Sequence, residues 1–265
     1  MRIINLKNGL SPGERFLKMS TFRHLRSLGE KLAQYRRGEV DSVTRIFWNL
    51  GYEVVVRKAI DNSSKNDFVL DLGCGTGSYL IALSKGGRRC YGIDPLRDVS
   101  LTSAKGRGIE ENVSVFLCQG VGEFLPFRSS AFDVVLCVST LQHVGDQRMT
   151  LREVRRVLKD KGLLLISVPT IKNISTLFRE VETPSYFTMG FDIRGFEKIL
   201  VEGGFRILGI RGLGFFPPST HKLLCVYHRF FGEKLTRKMV ELLDVFARVW
   251  LSAASSLIAL CKKGG

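Results

Sequence analysis

The chain has 265 residues and a mass of 29.8 kDa, with 45% hydrophobic and 25% charged side chains. That much apolar material supplies a sizeable core and excludes disorder as the main state, which requires low hydrophobicity together with high charge. Forty Lys and Arg against 25 Asp and Glu give a formal charge of +15, carried by the flanks: +7 in residues 1–60, +2 in 61–169 and +6 in 170–265.

The first residues, Met1 to Leu10, lack the apolar stretch and cleavage site of a signal peptide, so a cytoplasmic location is expected. Ser11-Pro12 reads as a helix start, with Phe16, Met19, Phe22 and Leu25 at helical spacing up to about Arg37. Asp41 can cap a second helix with Val43, Ile46, Phe47, Leu50, Val54 and Val55 on an apolar face. Residues 1–60 thus read as a basic helical extension, a lid over the acceptor.

From Asp67 short apolar runs alternate with helical periodicity, the pattern of βαβ units around a parallel sheet buried on both faces. Strands are predicted near 68–72, 89–94, 113–118, 133–138, 163–168 and 205–211. Helices are predicted near 77–85, 96–106, 147–159 and 192–202, the third stopping at Lys161-Gly162. After Pro217-Pro218 comes helical material over about 220–251, then an apolar run from Ser256 to Cys261 that reads as a strand. The segment Val245 to Leu260 is too short, and too interrupted by Arg248 and serines, to span a membrane. Cysteines 74, 90, 118, 137, 225 and 261 form no CxxC pair, so neither a disulfide framework nor a zinc site is expected, and no metal is assigned.

The strongest chemical signal is Val69-Leu70-Asp71-Leu72-Gly73-Cys74-Gly75-Thr76-Gly77-Ser78, an apolar strand entering a glycine loop and then a helix. Glycines at 73, 75 and 77 allow tight curvature and let a ligand approach main-chain N–H groups where a Cβ would collide. Asp94 ends the next strand, 21 residues after Gly73, where a nucleotide-binding βαβ unit sets a carboxylate against ribose hydroxyls. The spacing is GxGxG, with Ser78 where a dinucleotide loop has its third glycine. Asp71 disfavours a pyrophosphate and suits a cationic amino group. The ligand inferred is nucleoside-like, with a positive amino-acid tail and no phosphates; NAD and a purely structural turn are the weaker alternatives.

These residues resemble the class I S-adenosylmethionine-dependent methyltransferases, and within them the methyltransferase type 11 group that includes quinone-biosynthesis enzymes. The resemblance runs from about Phe68 to Phe205. It takes in the glycine loop and the Asp94 strand end, Glu123 to Phe127 followed by Ala131 to Val135, Leu141-Gln142-His143-Val144, and Glu153 to Lys159 before Gly162. It implies an α/β, Rossmann-like fold: a seven-stranded, mostly parallel sheet with helices on both faces and an antiparallel last strand inserted beside the sixth. One methyltransferase domain would span 61–265, with 170–190 and 213–252 as acceptor-side decorations, the second a helical insertion before the last strand.

The resemblance further implies S-adenosylmethionine as cofactor, with Asp71, Gly73, Gly75 and Gly77 around the methionine moiety, Asp94 at the ribose and Leu96 against the adenine. Where the family commonly has a small acidic or polar residue for the adenine amino group, this chain has Val121, which leaves that contact to backbone groups of Val121 and Gly122. Ser139 and Thr140 follow the fourth long strand toward the methyl donor.

A sulfonium methyl is already electrophilic, so alignment does most of the work, and proximity alone can supply about 7–11 kcal/mol. A base is needed only for an acceptor that carries a proton. His143 is the candidate base, and a loop-capping role for it is equally open. His24, His221 and His228 have no metal-ligand spacing, and Cys74 reads as a small loop filler rather than a nucleophile. Phe178, Tyr186, Phe187, Phe191, Phe215 and Phe216 would suit a flat ring or isoprenoid acceptor, although ordinary packing under a lid explains any single ring as well. The leading expectation is a methyltransferase for a small apolar or amphiphilic acceptor. Its basic first helix, Arg15, Lys18, Arg23, Arg26, Lys31, Arg36 and Arg37 among aromatics, would meet an anionic membrane surface or be only a solvated face. An RNA methyltransferase and a non-catalytic cofactor-binding protein are the competing classes; nucleic acid is disfavoured as a partner because no RNA-binding module is recognisable.

Overall fold

A computed structural model describes residues 3–4, 41–171, 190–214 and 220–264. Its strands are β1 (Ile3–Ile4), β2 (Phe68–Leu72), β3 (Arg89–Asp94), β4 (Val115–Gln119), β5 (Phe132–Val138), β6 (Leu158–Pro169), β7 (Phe205–Leu213) and β8 (Ser256–Lys263). The helices are α1 (Ser42–Asp61), α2 (Ser78–Lys85), α3 (Thr102–Glu110), α4 (Gln147–Val157), α5 (Ile193–Glu202) and α6 (Thr220–Val249). One sheet runs in the order β1-β4-β3-β2-β5-β6-β8-β7. Its strands are parallel except β8, which lies between β6 and β7 and is antiparallel to both.

The two faces of the sheet follow directly from the alternation of side chains along each strand. Leu70 and Leu72, Val135 and Cys137, Leu164, Ile166 and Val168, and Leu257, Ala259 and Cys261 turn to the face covered by α4 and α5, where they meet Leu151, Val154, Phe196 and Leu200. Val69, Val134 and Leu136, Leu165 and Ile258 turn to the opposite face, under Val55 and Ala59 of α1, Leu80 and Leu83 of α2 and Ala104 of α3. With both faces covered, the strands read as nearly continuous apolar runs. Each fully buried Leu or Ile contributes about 1.5–3 kcal/mol over the exposed state.

The fold agrees with the sequence expectation of a mostly parallel sheet with an inserted antiparallel last strand, with four local differences. Ile3–Ile4 adds an eighth, two-residue strand parallel to β4, so the first sixty residues are not wholly helical. Helix α4 ends at Val157, and Lys161-Gly162 is not its stop: fully buried Leu158 pairs with Phe132 and starts β6, and the register then shifts so that Val134 meets Leu163. The helix expected over 96–106 starts as a π-helical turn, Arg97–Leu101, and continues as α3. Finally α6 is broken at Gly232, whose φ of 71° and ψ of −177° leave the helical region. Asp41 caps α1 as expected, its carboxylate accepting from the Thr44 N–H at 3.0 Å.

Both segments of α6 share a small core with α1, made of Val43, Ile46, Leu224 and Val240. Asp244 ties α6 to β7: its Oδ2 accepts from Arg211 Nη2 at 2.6 Å and Arg248 Nη2 at 3.3 Å, and its Oδ1 from the Gly214 N–H at 2.8 Å. The predicted helix over 11–37, the aromatics Phe178, Tyr186, Phe187, Phe215 and Phe216, and His24 lie outside the described residues.

Candidate cofactor site

Strand order reverses at β2, which has β3 and β4 on one side and β5 and β6 on the other. The carboxyl ends of strands at such a switch point diverge and leave a crevice. Here β2 runs into the loop 73–77, pinned to β3 by the Gly73 and Cys74 N–H groups, which donate to the Ile93 carbonyl at 2.8 and 3.1 Å.

All three loop glycines have positive φ, 70°, 51° and 78° for Gly73, Gly75 and Gly77, yet they do different things. A Cβ at Gly73 would collide with the Thr140 side chain, and one at Gly77 would lie 2.9 Å from the Ala104 Cβ, so these two let β5 and α3 close on the loop. A Cβ at Gly75 would meet nothing within 4 Å. Gly75 therefore faces open space, as the wall of a ligand cradle must. The first turn of α2 follows Gly77, which as N-cap brings no capping side chain.

Two carboxylates border this cradle. Asp94 Oδ2 accepts from the Gly75 N–H at 3.0 Å and Oδ1 from the Leu96 N–H at 2.9 Å. Burial pushes the Asp94 carboxyl up, and these backbone donors together with the Ser100 side chain pull part of the way back. With these three donors bound, the carboxylate keeps an acceptor site for a ligand hydroxyl. Asp71 differs sharply. It is 1% exposed, its Oδ2 is buried without a hydrogen-bond donor, and burial first, then the charge of Asp94, hold its carboxyl well above the usual carboxylate range. A buried carboxylate with no donor beside a second carboxylate is costly, and a cation placed between them relieves both terms.

The other predicted residues assemble around the same strand ends. Leu96, two residues after Asp94, is buried. The Gly120 N–H donates to the Asp94 carbonyl at 3.2 Å, which brings Val121 and Gly122 alongside, both buried; a Cβ at Gly122 would point at Thr150 of α4. Ser139, exposed at the end of β5, has a φ of 50°, and its N–H donates to both the carbonyl and the hydroxyl of Ser167. Such backbone strain persists only where the surroundings impose it. His143 closes the short 3-10 turn Leu141–His143, half-buried, with its Nε2 3.3 Å from Gln142 Nε2. Cys74 is no nucleophile: burial, Asp94 and Asp71 all raise its thiol.

Several supporting residues carry no local signature of their role. Glu123, 1% exposed, accepts from the Gly145 and Asp146 N–H groups at 2.6 and 3.1 Å and so locks the chain beyond His143. Arg156 bridges Glu153 and the carbonyls of Leu125 and Phe127, holding the stretch after Gly122. Arg107 of α3 donates to the Thr76 carbonyl at 3.0 Å and clamps the glycine loop from outside. Glu123 and Arg156 lie in stretches that carried the resemblance, with no role assigned to either, and nothing pointed to Arg107.

Beyond Gln142, a cavity of about 730 Å³ opens between the start of α4 and the start of α5. Val144, Phe191 and Ile199 are its more buried lining, and Arg148, Lys198 and Glu202 are exposed along it.

Residues 70–166, the part of the chain that builds this cradle, match the family model described as "Methyltransferase domain". This segment is similar to methyltransferase domains. Over 101 residues the chain is 37% identical to the uncharacterized methyltransferase YcgJ of Bacillus subtilis, covering 37% of this chain and 39% of that protein. It is 31% identical over 99 residues to a ubiquinone biosynthesis O-methyltransferase of Azorhizobium caulinodans, covering 37% and 39%. The crystal structure of YcgJ superposes with a TM-score of 0.57 at 19% identity, covering 80% of this chain and 99% of that one, a likeness of fold. Matches to the first curated relatives span 39 to 64% of their length. The matched segment thus coincides with the strands and loops that carry Asp71, the glycines, Asp94, Ser139 and His143.

Proposed function

We propose that this chain transfers a methyl group from S-adenosylmethionine to a small apolar or amphiphilic acceptor. The observation that carries the cofactor half is Asp71, a buried carboxylate without a donor at Oδ2, near a second buried carboxylate, Asp94, that binds the open glycine loop. An ammonium group of an amino-acid tail is the cation of the right size, Asp94 retains an acceptor for a ribose hydroxyl, and Leu96 offers an apolar wall for a base. The start of α2, with glycine as its N-cap, suits the tail's carboxylate. A pyrophosphate beside Asp71 would meet like charge, which argues against NAD.

S-adenosylmethionine supplies an electrophilic sulfonium methyl; the chain has to hold the acceptor in line and keep water out. Ser139 and Thr140 border the donor side of the crevice. His143, oriented by Gln142, is the base for an acceptor that carries a proton. The cavity next to Gln142, where Val144, Phe191 and Ile199 stand among Asp146, Arg148, Lys198 and Glu202, supports an amphiphilic acceptor, and the relative named a ubiquinone biosynthesis O-methyltransferase supports transfer to oxygen.

Calorimetric titration with S-adenosylmethionine, S-adenosylhomocysteine and NAD tests the cofactor: binding of the first two and not the third is expected, and failure of both S-adenosyl compounds refutes the reading. Incubation with methyl-labelled cofactor and either a quinol or total RNA tests the acceptor. Label should enter the organic-soluble product, and entry into RNA alone would replace the acceptor class while leaving the cofactor in place.

A further inference from the structure

Helix α6 is apolar on two opposite sides. In its second segment Thr236, Val240, Asp244 and Ala247 are buried against the body of the protein. About half a helical turn away at 100° per residue, Leu235, Leu242, Phe246 and Val249 form a second stripe, flanked by Val245, and all are exposed. Val249 is 85% exposed, and Trp250, which follows the helix end, 62%. The first segment repeats the arrangement: Leu224 is buried, whereas Leu223, Val226 and Phe230 face out, Phe230 at 79% exposure. An outward row of aromatic and aliphatic side chains this long is not ordinary surface.

The charges nearest the row are basic. By the same helical spacing, Lys234 and Lys238 edge the exposed stripe of the second segment and Arg229 edges that of the first, all three exposed. Of the acids of the helix, Glu241 lies beside Lys234 but pairs with Arg237, Glu233 is exposed on the side away from the stripe, and Asp244 is buried with Arg211 and Arg248. Arg237 also reaches Glu53, so this flank is neutralised against α1 while the apolar stripe is bordered by cations. The whole chain carries +15. A self-complementary contact between two copies would bring Lys234 and Lys238 near the same lysines of the other copy, while the neighbouring acid, Glu241, is already held by Arg237. No helix among the described residues is long and apolar enough to cross a membrane. An apolar stripe with basic borders and a terminal Trp is the composition of a helix that lies in the plane of an anionic bilayer, its aromatics at headgroup depth and its cations on lipid phosphates.

We propose that the outward face of α6, centred on Leu235, Leu242, Phe246, Val249 and Trp250 and bordered by Lys234 and Lys238, docks the protein on an anionic lipid surface. The contact is built on α6 and does not rest on methyl transfer, so it stands or falls separately from the function proposed above.

The test is co-sedimentation of the full chain with phosphatidylcholine vesicles, with and without phosphatidylglycerol. Binding is expected with phosphatidylglycerol and is weakened by salt. The pair Lys234→Gln and Lys238→Gln should lower the partition coefficient about thirtyfold, at about 1 kcal/mol for each basic side chain. The pair Leu242→Ser and Phe246→Ser should lower it at least about tenfold. All four positions are exposed, so both variants should still fold, which a cooperative melting transition checks. The proposal is overturned if the wild-type chain ignores anionic vesicles, or binds them equally after both pairs of substitutions. It is also overturned if the protein sediments as a dimer that Leu242→Ser and Phe246→Ser dissolve without any loss of lipid binding.

Discussion

Asp71 and Asp244 are each 1% exposed, yet they stand in opposite surroundings. Asp244 receives two arginines and a backbone N–H, so its charge is spent inside the protein, fastening α6 to β7. Asp71 receives no donor at its buried oxygen and faces Asp94 instead. The comparison separates two uses of a buried charge: one stabilises the fold, whereas the other is tolerated at a cost in stability that a ligand can recover.

The largest effect is expected at the paired acid. Asp244→Ala leaves two guanidinium groups and the Gly214 N–H without their acceptor, and should lower unfolding stability by about 3–5 kcal/mol, read from the urea midpoint. Cofactor affinity, measured on the folded fraction, should change little. Asp71→Asn should do the reverse. Losing a charge-assisted contact to an ammonium costs about 2–3 kcal/mol, roughly 30- to 150-fold in Kd, while the ligand-free protein should melt higher at neutral pH. If Asp71→Asn melted lower and bound S-adenosylmethionine normally, Asp71 would be a structural acid like Asp244 and the contrast would collapse.

The same contrast has a pH signature. In the ligand-free protein the Asp71 and Asp94 carboxyls are both raised, whereas in the unfolded chain they titrate near the ordinary value of about 3.9. Between that value and the folded ones the native state holds more protons. Stability of the free protein therefore falls as pH rises through this window, and the penalty is complete above the folded values. A cationic ligand at Asp71 favours the ionised acids, so binding should release protons and strengthen with pH over the same interval. Calorimetry in two buffers of different ionisation enthalpy measures the released fraction, which should shrink in Asp71→Asn. Equal heats in both buffers throughout the window would leave no role for the raised acids in binding.

How much of this was legible beforehand depends on the range of the interaction. The strands of the parallel sheet were readable because each is an apolar run bounded by helical periodicity, and the glycine loop because its residues are adjacent in sequence. The two-residue β1 is too short to show a period. The end of α4 was misread because Lys161-Gly162 imitates a helix stop, while the residue that decides it, Leu158, is held by Phe132, 26 positions earlier. The Asp244 cluster joins residues 30 or more apart through Arg211 and Gly214, and Glu123 reaches Gly145 across 22. No local pattern encodes such pairs. Nor could spacing reveal that Asp71 lacks a donor, since an absence is settled only when every neighbouring element is in place.

The smallest predicted change in stability is also the sharpest test of where the ligand lies. Gly73 and Gly75 share positive φ, so alanine at either pays a backbone penalty of about 1–2 kcal/mol. At Gly73 the added methyl also drives into Thr140, and Gly73→Ala should lose further stability together with binding. At Gly75 the methyl enters open space, and the N–H that donates to Asp94 is kept. Gly75→Ala should therefore cost only the backbone term in a melting experiment, yet abolish measurable binding of S-adenosylhomocysteine, because the space it fills is the space the cradle leaves for a ligand. Undiminished binding by a folded Gly75→Ala protein would mean that the open side of the loop is solvent, and that Asp71 awaits a cation from another direction.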